Sequence, residues 1–177
     1  MKRKTLLLTL IAIAVVAIVA WWFIRPASPS ATSSISHNGF DISVSYSRPY
    51  KKGRVIFGEA SSGALQPNGQ YWRLGANAAT EITFNRDVTF SGASVKAGTY
   101  RMYAVPDAGT WKIVLNSALG KSGSELPDPA LDVASVEVPA NEVSPVREQF
   151  TIDLKPTGAG VIMELKWDHI LVAVEIS

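Results

Sequence analysis

Two patterns of apolar residues divide this chain. The first is a block: Leu6 to Ile24 is a run of 19 residues whose single polar member is Thr9. At about 1.5 Å rise per residue, a helix of that length spans about 28 Å, close to the hydrocarbon thickness of a bilayer. The second pattern is alternation, which starts at Ile35 and runs to the C-terminus. Ile42, Val44 and Tyr46 alternate with Asp41, Ser43 and Ser45; Ile82 and Phe84 alternate with Glu81, Thr83 and Asn85. A period of two marks a strand with one face buried.

The same period predicts a hairpin. Tyr100, Met102 and Ala104 lead through Pro106-Asp107-Ala108-Gly109 into Trp111, Ile113 and Leu115, with Arg101 and Lys112 expected to face outward. Phe150, Ile152 and Leu154 form another alternating set. Val161, Met163, Leu165 and Trp167 precede Ile170, Val172, Val174 and Ile176, and Trp167-Asp168-His169 reads as a turn between two closing strands. Ser117 to Ala134 is polar and rich in Gly, Ser, Pro and Asp, which predicts a long loop. The pattern therefore predicts an all-β fold: an antiparallel β-sandwich, jelly-roll-like or Greek-key, preceded by one N-terminal transmembrane helix.

The expected organisation is an anchor over residues 1–25, a linker over 26–34 and a β domain over 35–177. Pro26 to Ser34 reads PASPSATSS, a composition suited to a linker. Fully extended, such a linker reaches at most about 30 Å, so the domain is expected to lie near the membrane surface. Lys2, Arg3 and Lys4 precede the apolar run, while only Arg25 closely follows it. The positive-inside bias then puts Met1 in the cytoplasm and the domain outside, in a single-pass inner-membrane arrangement with a periplasmic domain. Trp21, Trp22 and Phe23 stand at the outer end, where aromatic rings favour the interface. The competing reading is a cleaved signal peptide and a secreted domain. Such a peptide has a shorter apolar region, about 7–15 residues, ending in small residues.

Charge and cysteine narrow the chemistry. The net charge is +2 over 177 residues. Setting aside Lys2, Arg3, Lys4 and Arg25 leaves 13 basic against 15 acidic residues, so the β domain is slightly acidic. A nucleic-acid partner, which needs a basic face, is not expected. With no cysteine, thiol catalysis, disulfides and thiolate metal sites are excluded. His37 and His169 are the two histidines, too few for a histidine-rich metal centre. There is no Gly-x-Ser-x-Gly elbow and no phosphate-cradling glycine loop, and no cofactor is expected.

The densest polar and aromatic segment is Gln66 to Phe84. Trp72 offers a stacking surface, and Arg73, Asn77, Thr80 and Glu81 offer polar contacts, between small residues that allow close approach. The competing reading makes Trp72 a core plug and Arg73 the partner of a nearby carboxylate that fixes the loop. Arg48, next to Pro49, is a further ligand candidate, or else a structural partner that folds back on the domain.

These residues carry a resemblance. Tyr46 to Pro49, Arg54 to Gly58, Trp72 to Asn77, Ala79 to Phe84, Ala97 to Tyr100, Trp111 and Glu164 to Trp167 are similar to the bacterial family known as domain of unknown function 2911. The resemblance covers about residues 35–177. It implies an exported, compact β-sandwich and makes the Trp72–Glu81 segment a family hallmark; it implies no activity. Where members often carry an aromatic element after the hairpin, this chain has Ser117 to Ser124 with none. Two functional expectations follow. One is a binding or structural module of the cell envelope, taking a glycan, peptide or envelope protein and held to the membrane through residues 6–24. The alternative is a hydrolase acting on an envelope substrate, with Glu81 as carboxylate and Arg73 beside it.

Overall fold

A computed structural model describes residues 8–17 and 27–177. Residues 8–17 are helical. No helix among the described residues is long and apolar enough to cross a membrane, and the rest of the Leu6–Ile24 run lies outside them.

The remainder is a β domain. Its strands are β1 (Ser30–His37), β2 (Phe40–Ser47), β3 (Phe57–Gly58), β4 (Gln66–Pro67), β5 (Thr80–Phe84), β6 (Val88–Phe90), β7 (Ala93–Val95), β8 (Gly98–Val105), β9 (Thr110–Asn116), β10 (Asp132–Pro156) and β11 (Val161–Ile176). Nine of them form one continuous antiparallel order, β1-β2-β5-β8-β9-β10-β11-β6-β7, and β3 and β4 make a short parallel pair. The long β10 pairs with two neighbours in turn. Its first part, Asp132–Pro139, pairs with β9, and its second, from Ala140, pairs with β11. Register shifts on either side of Arg147 interrupt the ladder within this second part.

The alternating residues close on one core. Phe40, Ile42, Val44 and Tyr46 of β2, Ile82 and Phe84 of β5, and Met102 of β8 belong to the same cluster as Met163, Leu165, Val172 and Val174 of β11. At its centre Trp72 meets Phe150, Phe57, Trp111 and Trp167 at ring-centroid distances of 4.9, 5.4, 5.6 and 5.7 Å.

Three expectations are corrected. The linker is shorter than its composition implies: Ser30–Ser34 pairs residue for residue with Ser47–Ser43 of β2, because small polar side chains suit an edge strand whose backbone supplies the hydrogen bonds. Trp167-Asp168-His169 is not a turn. It lies within the unbroken β11, where Asp168 adopts φ 55° opposite the irregular Arg147. That bulge switches the buried parity from Val161, Met163, Leu165 and Trp167 to Val172, Val174 and Ile176. Arg101 points away from the core as expected, yet it is only 1% exposed. The loop after β9 covers it: Arg101 Nη2 donates to Tyr71 Oη at 2.7 Å and to the Glu125 carbonyl. Lys112, beyond the loop, is exposed.

Candidate functional site

The candidate segment runs from the parallel β3–β4 pair into β5, and its side chains go to different places. Trp72 is 2% exposed and belongs to the core. Its backbone pairs with Ala104 of β8 through N–H···O bonds of 2.7 and 2.8 Å. Thr80 is fully buried and donates through Oγ1 to the Leu74 carbonyl at 2.7 Å, closing the loop ahead of β5. Arg48 folds back on β10: Nε donates to the Phe150 carbonyl at 3.2 Å and Nη2 to Thr151 Oγ1 at 2.8 Å, fastening the end of β2 to β10.

Glu81 and Arg73 line separate clefts. Glu81 opens onto one of about 650 Å³ with Ser30, Thr32, Tyr46 and Lys121, where its Oε1 accepts the Gly120 N–H at 2.8 Å and holds the loop after β9. Arg73 and Asn77 line the other, of about 490 Å³. Ala76 and Asn77 face this second cleft and Ala78 and Ala79 the first, so the backbone ahead of β5 forms the ridge between them. The Arg73–Glu81 pairing expected of a hydrolase is not assembled.

Backbone geometry builds the Arg73 cleft. Gly75 has φ 151°, and a Cβ there would lie 2.7 Å from the Ser47 carbonyl, so the loop lies directly against the end of β2. A Cβ on Gly123 would fall 2.5 Å from Arg73 Cδ and 2.7 Å from the Asn77 carbonyl. Glycine therefore lets the loop after β9 press on the Arg73 stem. The opposite wall is the segment after β2. The Phe150 N–H donates to the Pro49 carbonyl at 3.0 Å and the Lys51 N–H to the Glu148 carbonyl at 2.6 Å, docking this wall on β10. Lys52 and Gly53 both have positive φ, 49° and 69°, and the Arg54 N–H returns to the Lys51 carbonyl at 3.1 Å, a tight turn of the primed type. Trp167 also lines the cleft.

The lining is cationic. Lys52, Arg54 and Arg73 face the cleft, and no acidic side chain lines it among the described residues. Lys51 is neutralised by Asp168, with Nζ 2.5 Å from Oδ2. Arg54 spends Nε and one Nη on the Lys51 and Tyr50 carbonyls, at 3.0 and 2.5 Å. The Arg73 guanidinium and the Lys52 ammonium have no hydrogen bond or ion pair among the described residues. Asn77 Nδ2 donates to the Ser28 carbonyl at 3.3 Å, tying residues 27–28 to the rim.

Lys52, Arg54 and Trp167 escaped the sequence reading. The run Lys51-Lys52-Gly53-Arg54, three cations around a turn glycine, was the available signal for the first two. Trp167 is indistinguishable in sequence from its alternating core neighbours. Among the described residues, no three His, Asp or Glu side chains gather as a metal site.

Fold and cleft together define a mostly antiparallel β domain with a cation-lined recess beside an aromatic core. The family described as protein of unknown function (DUF2911) matches residues 28–176, from just before β1 to the end of β11, and the chain belongs to it. No curated protein and no solved structure matches the chain.

Proposed function

We propose that this chain is a binding module of the cell envelope, held to the membrane by its N-terminal apolar segment, with its ligand seated in the Arg73–Asn77 cleft. The observation that carries this reading is the state of Arg73. Its stem is held against Gly123 while its guanidinium has no partner among the described residues. A half-buried cation held in place without a counter-charge suits a ligand better than it suits folding, because desolvated charge is costly unless paired. The residues that the fold does need, Trp72, Thr80 and Arg48, are already engaged. The cleft volume falls in the range of small-ligand sites, about 300–1,000 Å³.

The test is a thermal-shift and calorimetric screen of the full chain in neutral detergent against envelope glycans, short peptides and charged metabolites, repeated with Arg73→Ala and Asn77→Ala. The expected result is a ligand whose binding both substitutions weaken while the unliganded melting temperature stays nearly unchanged. If the substitutions lower the melting temperature and alter no binding, the segment is a structural element only.

A further inference from the structure

We infer that the cleft selects an oxyanion, a phosphate or carboxylate group carried on a small molecule, and that the indole N–H of Trp167 is one of its recognition donors. This rests on the cleft reading above and specifies its chemistry. Three observations converge on it. First, the cationic groups at the cleft are Lys52, Arg54 and Arg73, with no lining carboxylate among the described residues. A recess lined by one sign of charge concentrates ligands of the other. Second, the charged groups left unspent are all donors: the Arg73 fork, the Lys52 ammonium and the remaining Arg54 N–H groups, beside the neutral amides of Gln66 and Asn77. Guanidinium and ammonium have no acceptor capacity, so the ligand must bring the acceptors.

The third observation is independent of charge. Trp167 lines this cleft, is 1% exposed, and its Nε1 is buried without a hydrogen-bond partner. Buried indole donors are normally satisfied, so the open donor on a ring that borders the cleft leaves a bond for a ligand acceptor to make. The plane of its ring is set in advance. The ring stacks on Trp72 with planes 23° apart and is flanked by Phe57 and Phe150, each at 6.0 Å. Trp72, which does not line the cleft, thereby acts as a positioning residue for Trp167.

The experiment uses the full chain, 15N-labelled at tryptophan, in neutral detergent and in phosphatidylcholine nanodiscs. The soluble probes are inorganic phosphate, citrate, glucose 6-phosphate, glucose and a neutral amide, with spermidine as the cationic control. Trp167→Phe identifies the Trp167 indole resonance and removes the N–H donor together with the pyrrole part of the ring, while keeping an aromatic side chain at the position. The expected result is that an anionic probe shifts this resonance and binds by calorimetry, that glucose does not, and that affinity falls as salt rises from about 0.05 to about 0.2 M. Arg73→Gln and Lys52→Gln should each weaken that binding by about tenfold, and Trp167→Phe by several-fold.

Nanodiscs containing phosphatidylglycerol separate the sources. A Trp167 shift caused by the lipid alone assigns the oxyanion to a headgroup; a shift caused only by soluble anions assigns it to a free metabolite. Arg73-dependent binding of glucose, the amide or spermidine in place of the anions would overturn the oxyanion assignment and leave the cleft as a binding site. If no probe of any charge binds in an Arg73-dependent way, both readings fall.

Discussion

Trp72 and Arg73 are neighbours in sequence and should respond to truncation by very different amounts. Trp72→Ala removes a side chain that is 2% exposed and touches four aromatic rings within 5.7 Å. Truncating a buried aromatic costs about 3–5 kcal/mol, and losing several edge-on or stacked partners places this site near the top of that range. Its indole hydrogen bond to the Gly75 carbonyl is long, 3.4 Å, and adds little. Arg73→Ala removes a half-buried side chain that has no partner among the described residues, so its cost should stay within about 1 kcal/mol. Urea unfolding followed by circular dichroism measures both. With a slope of about 2 kcal/mol/M, Trp72→Ala should lower the midpoint by about 2.5 M and Arg73→Ala by less than about 0.5 M. Equal midpoints for the two variants, at unchanged slope, would refute the assignment of Trp72 to the core and Arg73 to the cleft.

Three further outcomes are expected. Gly75→Ala should cost about 1–3 kcal/mol by the same urea assay, since its Cβ would meet the Ser47 carbonyl and its φ disfavours an L side chain. Tyr103 should govern the alkaline limb of stability. Burial, then the 2.9 Å hydrogen bond to Asp132 and that carboxylate's charge, raise its hydroxyl above the ordinary 10.0. The folded state thus holds this proton more tightly than the unfolded chain. Its contribution is intact below pH 10 and lost as pH rises through the folded value, and Tyr103→Phe should flatten that loss in a pH series of melting temperatures. Finally, alkaline phosphatase fused after Ser177 should be active in cells, and N-terminal sequencing should find the apolar segment retained; a mature chain starting near Ala31 would show cleavage instead.

The strands were legible because alternation is local: Ile42, Val44 and Tyr46 announce a buried face without reference to any partner. The irregularity at Asp168 was legible in principle, since the apolar phase changes from odd to even positions between Trp167 and Ile170. The burial of Arg101 was not. Its alternation correctly assigns it to the outer face, but only the path of the loop after β9 decides that this face is covered. Likewise Ser30–Ser34 has a linker's composition and becomes a strand because β2 offers it an edge.

The segment from Trp72 to Glu81 shows the same division. Sequence determined that it was dense in chemistry, and the family resemblance covers it. Tertiary structure decided what each residue does. Trp72 and Thr80 went to the core, Glu81 to one cleft, and Arg73 with Asn77 to another. Lys52 and Trp167, which complete the cleft, come from about 20 and about 90 residues away along the chain. Periodicity reports the environment of a side chain relative to its own strand. A cleft depends on which distant backbones are brought together, and here that was settled by the docking of Pro49–Lys51 on β10 and the fit of Gly75 and Gly123 between their neighbours.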